Sequence, residues 1–198
     1  MANPNKVTGL SPVKYLNGAD WDERGSVYSI LTTEGNLLSV GDPMKLGGTA
    51  INGVPSVVQA TAGATAVGVL MAVGTNPNGP FINPNNLAVT QAPATKPVAY
   101  YALVADDPNI IFEIQEGGAG ANLLDTDVGQ NADFVAAAAA TGTFVSGFYL
   151  DNNAHDTTST RNLKILRLAP RVDNALGLYA KWWVLLNNHS FRTGVTGI

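Results

Sequence analysis

Residues 98–115 read VAYYALVADDPNIIFEIQ, two β-type runs from Val98 to Ala105 and from Ile110 to Gln115, divided by Asp106-Asp107-Pro108-Asn109. Pro108 presets φ and Asn109 tolerates the left-handed region, so the divider is a turn. In the second run Ile110, Phe112 and Ile114 face one way and Ile111, Glu113 and Gln115 the other, the period of two that marks a strand.

The same grammar extends in both directions. Ser26 to Leu31 and Leu37 to Val40 flank Thr33-Glu34-Gly35-Asn36, a hairpin-like connection in which Gly35 or Asn36 can take a positive φ. Val54 to Ala60 is rich in β-branched residues, and Val67, Val69, Met71 and Val73 alternate with Gly68, Leu70 and Ala72. Downstream come Phe134 to Ala140, Phe144 to Leu150, Leu163 to Leu168 and Leu178 to Leu186. Trp182 and Trp183 fall on opposite faces of the last strand, one for the core and one for a partner. The alanines from Ala136 to Ala140 favour a helix by propensity, but the run is too short for a nucleus and Thr141-Gly142-Thr143 stops it. The expectation there is strand or extended chain. One helical turn is expected over Asn122 to Gly129, capped by Asn122, after the flexible connector from Glu116 to Ala121. Short strands at intervals of roughly ten residues predict an all-β fold, barrel or sandwich.

Three regions follow. Residues 1–25 show no periodicity and carry Pro4, Gly9, Pro12, Gly18 and Gly25, which reads as an extended arm anchored by a few apolar residues and in need of a surface. Residues 26–186 form the β-rich body, with a Pro/Asn-rich surface loop at 75–97. Residues 187–198 are a polar tail. The expected contact residues are Leu10, Val13, Tyr15 and Trp21 of the arm, Phe81 of the loop, and Trp183.

Composition narrows the chemistry. The 198 residues include no cysteine, which removes disulfides, thiolate nucleophiles and Cys-based zinc sites. Charged residues make up 13%, about half the usual share; a surface covered by other subunits or one rich in Gly, Asn and Thr would each explain this. Net charge is -4 and unevenly placed: five Lys/Arg against fourteen Asp/Glu in residues 1–160, six against Asp173 alone in residues 161–198. Arg161, Lys164, Arg167 and Arg171 are spread along the chain without interleaved aromatics, so direct nucleic-acid binding is not expected. The N-terminal stretch lacks the pattern of a secretory signal and no apolar run could span a membrane, so the expected chain is soluble and made inside the cell.

Catalytic patterns are sparse. His155 and His189 stand in no metal-ligand spacing, although Asp151 and Asp156 near His155 could form a weak divalent-ion loop. Gly117-Gly118-Ala119-Gly120 lacks the Gly-Lys-Ser/Thr ending of a phosphate loop. Asp106, Asp107, Glu113 and Glu116 form the one acidic cluster that could pair carboxylates for acid–base work. No catalytic residue, cofactor or metal is expected.

Val40-Gly41-Asp42-Pro43-Met44-Lys45-Leu46, Val67-Gly68-Val69-Leu70, the segment from Asp106 to Gln115, Leu163 to Leu168 followed by Asn187-Asn188-His189, and the ending Thr193 to Ile198 occur in an order that resembles the cement or decoration proteins of tailed-bacteriophage capsids. The resemblance implies a β-barrel or β-tulip-like body with an extended N-terminal arm and a C-terminal tail. It also implies a place on the outer surface of a virion, a major capsid protein as partner, and self-association, with a homotrimer favoured over a homodimer. A head-fibre or tail adhesin binding host polysaccharide, and an enzyme on a β scaffold, are the competing readings.

Overall fold

A computed structural model of the chain describes residues 3–78, 91–139, 144–194 and 196–197. Its strands are β1 (Ser11–Tyr15), β2 (Ser26–Ile30), β3 (Leu38–Ser39), β4 (Pro43–Ile51), β5 (Val54–Gln59), β6 (Gly68–Gly74), β7 (Gln91–Ala92), β8 (Tyr100–Ala105), β9 (Ile110–Gln115), β10 (Asn131–Val135), β11 (Tyr149–Asp156), β12 (Leu163–Leu168) and β13 (Lys181–Leu186). A single 3-10 turn at Asp125–Asp127 is the only helical element among the described residues, so the fold is all-β as its periodicity predicts.

The strands fall into two main groups. β1-β9-β13-β12-β10-β11 make an antiparallel six-stranded sheet, and β2-β5-β4-β6-β8 pair cyclically, β8 returning to β2. The Asp106–Asn109 turn carries the chain from the second group to the first: the Asp107 carboxylate accepts the Asn109 N–H at 2.8 Å. That bond closes the turn without a left-handed Asn109, since positive φ among the described non-glycine residues is confined to Glu23, Asn52 and Tyr179.

Two cores result. Inside the five-stranded ring lie Tyr28, Ile30, Met44, Val57, Val67, Leu70, Val73 and Val104. Between ring and sheet lie Ile110, Phe112, Ile114, Trp182, Val184, Leu186, Leu163, Ile165 and Phe134, with Ala60, Ala66, Val69 and Ala105 supplied by the ring side. Each large side chain so buried contributes about 1.5–3 kcal/mol. In β6 a register shift between Leu70 and Ala72 breaks strict alternation: Val67, Leu70 and Val73 line the ring while Val69 and Met71 pack on the second core. Gly68 has no substitute there, because a Cβ would meet Val104 Cγ1 at 2.7 Å and the Ala105 carbonyl.

Several local expectations change. β2 and β3 form no hairpin; β2 pairs with β8 and β5, and β3 with β7. The true tight hairpin joins β4 to β5 through Asn52-Gly53, both at positive φ (49° and 81°), the geometry of a type I′ turn. Asn122 is not the cap: Leu124 precedes the 3-10 turn as its N-cap, and its N–H donates to the Asp127 carboxylate at 2.8 Å. Residues 136–139 are neither helix nor strand. Within the glycine connector, which is exposed from Gly118 to Ala121, Gly117 and Gly118 lie against tyrosine rings: a Cβ on Gly118 would meet Tyr179 at 2.5 Å and one on Gly117 Tyr149 at 2.8 Å.

The surface that residues 1–25 need comes from the chain itself. β1 is the edge strand on β9, Leu10 is 1% exposed, and the Lys6 N–H donates to Gln115 Oε1 at 2.8 Å. The C-terminal segment also folds back: the Ser190 N–H donates to the Ala66 carbonyl at 2.7 Å and the Gly197 N–H to Thr157 at 3.0 Å. Within the 75–97 loop, residues 79–90, Phe81 included, lie outside the described residues.

Candidate interaction surfaces

The alternation of β13 sends Trp182 into the core and Trp183 to the outer face of the six-stranded sheet. Trp183 stands opposite Glu113 of β9 and Arg167 of β12. Lys14 Nζ from edge strand β1 lies 5.4 Å from the Trp183 ring centroid and the Arg167 guanidinium 5.5 Å from it. Basic residues that are scattered in sequence thus meet around an aromatic ring, which linear spacing did not reveal. Further along the face Glu113 binds Arg171 at 3.1 Å and Lys181 at 3.7 Å. Lys164 Nζ donates to the carbonyls of Gly129 and Thr196.

The loop from β12 to β13 forms the second surface. Val172, Leu176 and Leu178 are exposed on it, Val172 fully. Its backbone is nevertheless fixed. The Asn174 side chain donates to Ala169 and Lys181 carbonyls at 3.0 and 2.8 Å and accepts the Lys181 N–H at 2.9 Å. The Asn3 amide donates to the carbonyls of Ala175 and Leu178 at 2.8 and 3.0 Å and accepts the Ala175 N–H at 2.9 Å. Three bare aliphatic side chains on an ordered loop lose little further entropy on binding a partner.

An open groove of about 470 Å³ runs between the N-terminal segment and the β8–β9 turn, lined by Tyr15, Asn17, Asp22, Arg24, Ser26, Asp106 and Asp107 among others. The Tyr15 hydroxyl donates to Asp22 at 2.8 Å and the Tyr28 hydroxyl to Asp106 at 2.8 Å. Both phenols are pushed up, first by burial and then by the carboxylate each one binds.

Of the expected contact residues, Leu10 is a core side chain and is not available to a partner as the protein stands. Val13 is half-buried on the edge strand. Tyr15 lines the groove and packs against the core; Trp21 packs against the core and keeps an unpartnered buried Nε1. Trp183 holds the outer face. No charged side chain occurs between residues 46 and 95, a readable signal for the surface formed by the β4–β5 hairpin with its exposed Leu46 to Ala50.

The acidic cluster is dispersed by the fold. Glu113 faces outward among cations, whereas Glu116 is fully buried and accepts the Trp182 Nε1–H at 3.0 Å and the Leu123 N–H at 3.2 Å. Burial pushes Glu116 up to about 7. Asp156 is clamped by Arg161, which also binds Asp133 at 2.6 Å, and these hydrogen bonds hold Asp156 well below the usual carboxylate range. Asp151 and His155 lie on strand β11 and not in a loop, and Asp151 accepts the Asn153 N–H. His189 is buried, its Nδ1 accepting the Phe191 N–H at 3.0 Å, and burial lowers it to about 4. Among the described residues no group of three or more His, Cys, Asp or Glu side chains could hold a metal ion.

No family model, curated protein or solved structure matches this chain. Among the described residues no helix is long and apolar enough to cross a membrane.

Proposed function

We propose that this protein is a structural component of a phage head, a cement protein that binds the outside of the shell and bridges neighbouring copies of the major capsid protein. The observation that carries the reading is the β12–β13 loop, where Val172, Leu176 and Leu178 stand exposed on a backbone held by Asn3 and Asn174. Such a loop favours protein contact, and a shell gains strength when many copies each bury a modest area across its seams. The cyclically paired strands serve as the barrel of such a body, and self-association as a homotrimer, or a homodimer, suits its use at symmetry axes.

Because β1 and Leu10 belong to the fold, deleting residues 1–25 would unfold the body and report nothing about docking. The sharper test is Val172→Asp with Leu178→Asp, scored by electron microscopy of parent heads that lack this protein. Wild type is expected to add density to the shell and the double variant to leave it bare with an unchanged unfolding midpoint. Equal occupancy by both proteins, or none by wild type, would refute the proposal.

A polysaccharide-binding adhesin is the second reading, favoured by the hydroxyl, amide and carboxylate lining of the groove at Tyr15, Asn17, Asp22 and Asp107. Glycan-array binding that is lost in Asp107→Ala would support it over the first.

A further inference from the structure

The outer face of the six-stranded sheet carries two cations that the fold leaves unneutralised. Among the described residues neither Lys14 nor Arg167 has a carboxylate within ion-pair distance, whereas their neighbours Arg171 and Lys181 share Glu113. Both converge on one indole, at 5.4 and 5.5 Å from its centroid, and the indole Nε1 is shut off from solvent with no acceptor. Two cations without a counter-ion therefore sit together on one ring, on a chain whose net charge is -4. The apolar loop leaves β12 just beyond Arg167 and returns into β13 just before Trp183, so it continues the same surface.

We propose that Lys14 and Arg167, gathered on the Trp183 ring, form a binding site for the carboxylate side chains of an acidic polypeptide segment of the partner. Charge complementarity selects the class. A guanidinium offers a fork that a carboxylate matches, and an ammonium beside it can hold the second oxygen or a second acid. Nucleic acid suits the face less well. The ring is already covered by cations, which leaves a base no open platform, and Lys164, Arg171 and Lys181 are engaged elsewhere, which leaves too few free charges to track a phosphate backbone.

The inference rests on the assembly reading for the kind of partner, but its test uses the isolated chain, so its failure and failure of shell binding are separate results. Poly-L-glutamate is titrated into the full chain at low and at high ionic strength. Tryptophan fluorescence is the readout, and Trp183→Phe assigns the signal. Wild type is expected to bind at low salt and to release as salt rises. Lys14→Gln with Arg167→Gln is expected to weaken binding about tenfold or more at an unchanged unfolding midpoint. Should the double variant fold poorly, Lys14→Gln alone, at the sheet edge, is expected to show a smaller loss of the same kind. Absence of wild-type binding, unchanged affinity in the variants, or tighter binding of oligothymidylate than of polyglutamate would each overturn the assignment.

Discussion

Replacing Glu116 with glutamine is expected to remove a fall in stability between about pH 4.5 and 8, a fall that His189, lowered by burial to about 4, opposes below its ordinary value of 6.5. Burial lifts this carboxyl from 4.5 to about 7, the Asp127 charge adding slightly, and the hydrogen bonds from Trp182 and Leu123 only partly oppose it. In the unfolded chain the group titrates at its ordinary value. The folded state therefore holds a proton that the unfolded state has released, and stability falls as pH rises through this window, then levels off above the folded value. At 1.36 kcal/mol per tenfold in proton affinity the loss is about 3 kcal/mol. Urea unfolding of wild type near pH 5 and near pH 8 is expected to differ by about that much from this group alone. In Glu116→Gln neither state titrates at this position, so the stability at pH 8 relative to that at pH 5 is expected to rise by the same amount over wild type. The absolute stability of the variant is less informative, because its amide nitrogen lands where Oε1 has no partner, at a cost of about 1–3 kcal/mol. Parallel pH curves for the two proteins would refute the reasoning.

Gly68→Ala is expected to cost about 1–3 kcal/mol, since the added methyl meets the Ala105 backbone and Val104, while Gly35→Ala, with nothing near its Cβ and no positive φ, is expected to stay within about 0.5 kcal/mol; thermal melts of the pair check the contrast. Lys96→Met removes the buried ammonium that donates to the Glu34 and Asn36 carbonyls at 2.6 and 3.0 Å, and is expected to cost about 1–3 kcal/mol and to speed amide exchange at Gly35 to Leu37.

Strand existence was legible because period two is local. Ile110 to Gln115 forms a strand over the expected span, and the Trp182/Trp183 split follows from alternation alone. Partners were not legible. Ser26 to Ile30 lies close to Leu38 in sequence yet pairs with Tyr100 to Val104, because the burial that selects a pairing depends on the whole core. β1 escaped notice since Pro12 and a register shift between Pro12 and Lys14 break its pattern, a feature tolerated at a sheet edge. The Lys14–Trp183–Arg167 cluster was invisible for the same reason: its members meet only once β1, β13 and β12 are ordered about β9. Asn52-Gly53, by contrast, is a local hairpin signal that needs no tertiary information.

The edge position of β1 has a consequence for the order of events in synthesis. Ser11 pairs with Glu113, so the first strand leaves the ribosome about a hundred residues before its partner exists. At about 5–20 residues per second that is a wait of roughly 5–20 s, during which the five ring strands, all encoded between residues 26 and 105, can close. Slowing translation near residue 105 would favour orderly growth of the nascent chain, while a chaperone that shields Leu10 to Tyr15 during that interval would guard the segment most open to wrong pairing.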